Sequence, residues 1–90
     1  MTNRDILNDT GYEHVVIFNN PDYDDAIIGV SHNDQVIYDY DKMVEHLIEK
    51  ENMSLEDAAD FISYDTIRAL SYMGPDAPIV MFGIEQYKEG

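Results

Sequence analysis

An α+β fold is expected from three features of this 90-residue chain. Short β-branched and aromatic runs lie between turn residues. Two later segments carry apolar residues at helical spacing. A Ser-His-Asn-Asp link joins two of the strand-like runs at hairpin distance. The expected order is β-β-β-α-α-β, with a mostly antiparallel sheet. Each helix has one apolar stripe to bury and the sheet one apolar face, so the helices are placed on one face of the sheet. Residues 1–90 are read as a single domain, because a chain this short supports one modest core.

The elements follow in chain order. Residues 1–11 are polar, end in the turn signal "NDTG" and are expected to be a frayed leader. "HVVIF", His14 to Phe18, is the first expected strand, bounded by "NNPD". "AIIGV", Ala26 to Val30, is the second, and Gly29 within it points to a bulge or a close backbone approach. "QVIYDY", Gln35 to Tyr40, is the third. It pairs antiparallel with the second across Ser31–Asp34, where Asn and Asp accept turn geometry at little cost. Alternation sends one face of the strand inward, so Tyr38 or Tyr40 is expected as a core-edge residue.

A helix of about three turns follows, with Met43, Val44, Leu47 and Ile48 on its apolar stripe and Asp41 as N-cap. Ser54 opens the next helix. Asp57 stands three residues on in a near capping box, and Met53 is placed to staple onto Ala58. The second stripe runs Leu55, Ala58, Ala59, Ile62 and on through Thr66, Ala69, Leu70 and Met73. "SYDT" is a candidate interruption, so one bent helix and two separate helices both remain open. Gly74-Pro75 ends the segment. "PIVMFGI", Pro78 to Ile84, is the last strand, and residues 85–90 are expected to fray.

Charge is the most distinctive property. Nineteen acids face five bases, a net charge of −14. Six of the acids are aspartates within residues 19–43. Such a surface repels nucleic acid and anionic membranes, and it attracts basic proteins. Hydrophobic content of 44% is that of a folded protein. No apolar run reaches the ~20 residues that span a bilayer. The absence of cysteine rules out disulfides and thiolate chemistry, and it fits a reducing cytoplasm.

The motifs of catalysis are missing. Asn20, Asp22 and Asp24 alternate as a calcium loop begins, but the sixth and twelfth places hold Asp25 and Ser31 rather than Gly and Glu. His14, His32 and His46 fall in no metal-binding spacing. His46 and Glu49, one helical turn apart, lack a third ligand on their face. No serine sits in a GxSxG elbow, and there is no phosphate-binding glycine loop. A non-enzymatic protein without cofactor or metal is expected.

The seven tyrosines supply the other theme. Tyr23, Tyr38 and Tyr40 interleave with aspartates, and a tyrosine ring beside a carboxylate suits the guanidinium of an arginine. Carboxylates on a rigid scaffold can fill the Lys and Arg array with which a protein holds DNA. The candidate partner-binding residues are Asp22, Tyr23, Asp24 and Asp25 in the first loop. Asp34, Asp39 and Asp41 join them around the hairpin, and Glu45, Glu49, Glu56, Asp57 and Asp60 on the helices. Tyr23 is the expected arginine-stacking residue at the contact centre.

The segments "VIYDYDKMVEHLIEKENMSLEDAADFISYDTIRAL" and "GPDAPIVMF" resemble a family of small acidic proteins of gut-type bacteria, their prophages and mobile elements. The resemblance covers roughly residues 14–84, and "YDYDKM" and "DTIRAL" are its most specific pieces. The family has no assigned activity, so it transfers no catalytic residue. It implies a context in which small acidic proteins inhibit host defence, anti-CRISPR and anti-restriction proteins among them. The expectation is an acidic DNA mimic in the bacterial cytoplasm. It blocks a basic nucleic-acid-binding protein such as a CRISPR nuclease, as a monomer or small homo-oligomer. The alternative is a structural or interaction protein whose acidity serves solubility.

Overall fold

A computed structural model describes residues 3–12, 15–19 and 21–84. Its α+β architecture is a three-stranded sheet with helices, as the sequence pattern predicts. The leader is not a loose segment. Asn3–Asp9 forms helix α1, which anchors to the core through buried Leu7. Gly11, at φ 92°, ends it in the left-handed region, and the Tyr12 N–H donates back to the Leu7 carbonyl at 2.8 Å.

The first expected strand does not form among its described residues. Val15 to Phe18 runs without a ladder, and His14 lies outside the described residues. This segment still serves the core. Phe18 is buried, and its N–H donates to the Tyr38 hydroxyl at 3.1 Å. A side-chain acceptor thus replaces the sheet partner that a strand would have used.

β1 (Ile27–Val30) and β2 (Val36–Asp39) form the expected antiparallel hairpin. The Ser31 hydroxyl accepts the N–H groups of Asn33 and Gln35, and Asp34 takes the left-handed conformation at φ 63°. Ile27 pairs with Tyr38 and Gly29 with Ile37, so Ile28 is an extra residue at a bulge. Gly29 therefore marks the bulge its position implied.

β3 (Ile79–Met81) is shorter than expected and lies parallel to β2. The sheet is accordingly mixed, in the order β1-β2-β3, and not mostly antiparallel. The reason is the connection. β2 leads directly into helices, and a helical crossover returns the chain to the end of the sheet where it started.

Asp39 ends β2 and caps α2 (Tyr40–Glu51), accepting the Lys42 N–H at 3.0 Å. The cap is thus Asp39 and not Asp41. Asp39 is still extended, as an N-cap must be, whereas Asp41 is already helical. Met43, Val44 and Leu47 are buried as expected, but Ile48 is exposed and His46 takes a place in the buried face.

α3 (Leu55–Phe61) begins at the expected Ser54, whose hydroxyl accepts the Asp57 N–H at 3.1 Å. Beyond it the backbone stays right-handed through a π turn, Ile62–Thr66, then α4 (Ile67–Ala69) and a 3₁₀ turn, Leu70–Tyr72. "SYDT" is therefore neither a break nor a new cap. It is a widened turn inside one continuous helical run. Ala58, Ile62 and Thr66 carry the buried stripe, while Leu55 is 67% exposed. Gly74, at φ 90°, ends the run.

One core joins these elements. Its centre is aromatic: Phe18, Tyr23 and Tyr38 contact one another, edge-on or tilted, and Tyr23 also meets the His46 ring.

Candidate functional site

The candidate acids divide into those that build the fold and those that do not. The Asp22 carboxylate accepts the Asp24 N–H at 3.1 Å and closes a local turn. Asp25 holds His46, with Oδ1 2.8 Å from Nδ1. Asp39 caps α2. Asp34 sits in the hairpin turn.

The helices carry the second group. Asp41, Glu45 and Glu49 are exposed and recur every four residues along α2. A rise of ~1.5 Å per residue spaces them ~6 Å apart on one ridge. Glu56 and Asp60 repeat the spacing on α3, with Asp57 beside them. None of these six carboxylates makes an ion pair or side-chain hydrogen bond among the described residues. Lys42 and Lys50 lie on the same helix, yet neither closes on an acid. α2 and α3 pack against each other, so the two ridges belong to one helical layer.

Tyr23 is not a contact residue for a flat partner surface. It is fully buried, and the structure corrects its expected role. The strip from Pro21 to Asp25 folds inward because Tyr23 adopts a left-handed conformation, φ 51° and ψ 29°, ahead of a 3₁₀ turn, Asp24–Ala26. That conformation costs ~1–2 kcal/mol for an L-residue with a side chain. The aromatic contacts and a hydrogen bond offset the cost. The phenol shares a 2.9 Å bond with the Thr66 hydroxyl in the π turn. Burial pushes the Tyr23 phenol above its usual value near 10. The Thr66 bond opposes that shift, and the charges of Asp65 and Glu51 add to it.

Above this junction lies a cleft of about 110 Å³. Phe18, Tyr23 and Thr66 form its floor, Pro21, Phe61 and Ala69 its walls, and Asn19 and Asp65 its rim. The cleft was not legible in the sequence, since a π turn has no residue signature of its own. The one available sign was the irregular "SYDT" segment. The Asp25–His46 pair was equally hidden, because its members lie 21 residues apart.

His46 turns to Asp25 and not to Glu49, whose side chain is exposed. Among the described residues no group of three His, Asp or Glu side chains is placed to hold a metal ion. None of the described helices is long and apolar enough to cross a membrane.

The sheet offers a different surface. Ile28, Met81 and Phe82 are exposed on or beside its outer face, where Ile37 pairs with Ile79. Tyr40, half-buried at the start of α2, packs against Phe82 with ring centres 4.5 Å apart and planes tilted by 31°. No protein-family model, curated protein or solved structure matches the chain.

Proposed function

We propose that this protein is a non-enzymatic binding module that occupies the nucleic-acid-binding surface of a basic protein. The observation that carries the proposal is the pair of carboxylate ridges on α2 and α3, six acids that make no ion pair among the described residues. A row of fixed negative charges on packed helices is what a Lys and Arg array built for phosphates will accept. The scaffold is rigid where it matters, because Met43, Leu47, Ala58 and Ile62 are fully buried behind the ridges. A nuclease of a host-defence system, a CRISPR nuclease among them, has such an array and is the proposed class of partner.

The test is affinity capture of the tagged protein from a bacterial lysate at low and moderate salt. The expected result is a DNA- or RNA-binding protein that nucleic acid displaces and that salt releases steeply. A captured partner held equally at both salts, and not displaced by nucleic acid, overturns the proposal.

The outer sheet face supports a second reading, that of a self-associating structural protein. Ile28, Met81 and Phe82 are exposed there beside edge strand β3. A dimeric mass in solution, lost on Met81→Lys, is the outcome that favours it.

A further inference from the structure

We propose that the cleft over Tyr23 and Thr66 is a receptor for one arginine side chain. The proposal rests on the function above, because it names the group of the basic partner that this protein grips.

Two unusual backbone features converge on the cleft from distant parts of the chain. One is the left-handed Tyr23, and the other is the π turn at Ile62–Thr66. Non-glycine residues held in the left-handed region and π turns are both concentrated at functional sites. Here they share one hydrogen bond, Tyr23 to Thr66, 43 residues apart in sequence. The π turn carries Asp65 and Thr66, and both line the cleft with Phe61.

Size limits the occupant. A cavity of about 150 Å³ takes a benzene molecule. A cleft of about 110 Å³ therefore takes a head group of a few heavy atoms, well below a drug-sized ligand. Chemistry selects its charge. Asp65 stands exposed at the rim, and its field and that of Glu51 reach the Tyr23 phenol. Among the described residues no basic side chain lines the cleft. Arg68, three residues beyond Asp65, is exposed and makes no ion pair with it.

The apolar wall then selects shape. Half-buried Phe61 offers an aromatic surface next to the Asp65 carboxylate. A guanidinium is planar and weakly hydrated. It can lie against a ring while its N–H groups donate to a carboxylate, and an ammonium group does this poorly.

The test is an amide NMR titration of the whole protein with Nα-acetylarginine amide. The lysine amide and the neutral, isosteric citrulline amide serve as comparisons. Saturable shifts are expected at Asn19 and across residues 61–69. Citrulline amide should bind about tenfold more weakly, since it lacks the charge that both contacts use. Asp65→Asn should weaken the arginine probe by a similar factor, and as an exposed substitution it keeps the fold. Phe61→Leu, which preserves bulk, should weaken arginine more than lysine.

Shifts that grow linearly, appear equally with citrulline, or spread over α2 and α3 without regard to Asp65 overturn the cleft. If the titration is flat and partner capture persists, the cleft is wrong and the acidic-surface function stands. If the titration saturates and the captured partner ignores nucleic acid and salt, the cleft stands and that function falls.

Discussion

The hydrogen bond between Tyr23 and Thr66 makes a prediction that a double-mutant cycle can decide. Both residues are buried, and the bond is 2.9 Å long. Tyr23→Phe keeps the ring and its contacts with Phe18, Tyr38 and His46, but it strands the Thr66 hydroxyl. Thr66→Val keeps the side-chain shape and strands the phenol. Leaving one buried partner unsatisfied costs ~1–3 kcal/mol, whereas replacing both with apolar groups is nearly neutral. The floor of an open cleft admits some water, so the lower half of that range applies, ~1–2 kcal/mol for each single change. In a domain of this size each kcal/mol lowers Tm by ~4–8 °C. The double variant should therefore be less destabilised than the sum of the singles, by ~2–4 kcal/mol. Urea unfolding followed by circular dichroism measures all four proteins. Additive single effects, or singles indistinguishable from the parent, would refute the claim that this bond locks the first loop to the π turn.

Two further predictions follow from single groups. Because the folded Tyr23 phenol titrates above its usual value near 10, its contribution to stability is constant below pH 10. Above that pH the unfolded chain loses the proton first, and stability falls by ~1.4 kcal/mol per pH unit until the folded phenol also ionises. Tyr23→Phe should lack this component, so the stability difference between parent and variant should shrink as pH rises past 10. Ser54→Ala removes the side-chain acceptor of the Asp57 N–H and should cost ~1 kcal/mol, with Ser54→Asp restoring most of it in the same unfolding assay.

Local signals carried the helical half of the fold. The Ser54 cap, the Met43, Val44 and Leu47 part of the α2 stripe and the Gly74 stop each depend on neighbours within a few residues, and each stands where the pattern placed it. The hairpin and the Gly29 bulge were legible for the same reason. Elements decided by distant partners were not. "HVVIF" has every property of a strand, yet Phe18 gives its N–H to the Tyr38 hydroxyl, and among the described residues no strand pairs with it. α1 looked like a leader because Leu7, the one buried side chain among those described in it, is too little to set a period. Tyr23 looked exposed among aspartates. Its burial depends on a positive φ that composition does not disclose and on Thr66, 43 residues away. The acidic ridges could be read from helix period alone, whereas the cleft requires the tertiary meeting of the Phe18–Tyr23 segment with the π turn.

The placement of the acids bears on whether charge is only a means of solubility. Glu49 and Glu51 stand in the last turn of α2, where the helix dipole is negative and carboxylates are unfavourable. Glu49 also repels Glu45, one turn earlier on the same ridge. A helix selected for stability would carry bases there, as Lys50 does. Glu49→Gln should therefore stabilise the protein by ~0.5–1 kcal/mol at low salt, from the dipole and the like-charge pair together. The gain should vanish near 1 M salt, where the Debye length is ~3 Å. Unfolding midpoints at the two salts give the first half of the answer. Partner capture gives the second, since loss of a ridge carboxylate should weaken it while stability rises. A residue whose removal helps the fold and harms binding is held in place by the partner. If Glu49→Gln stabilises the protein and leaves capture unchanged, the α2 ridge is not the contact surface.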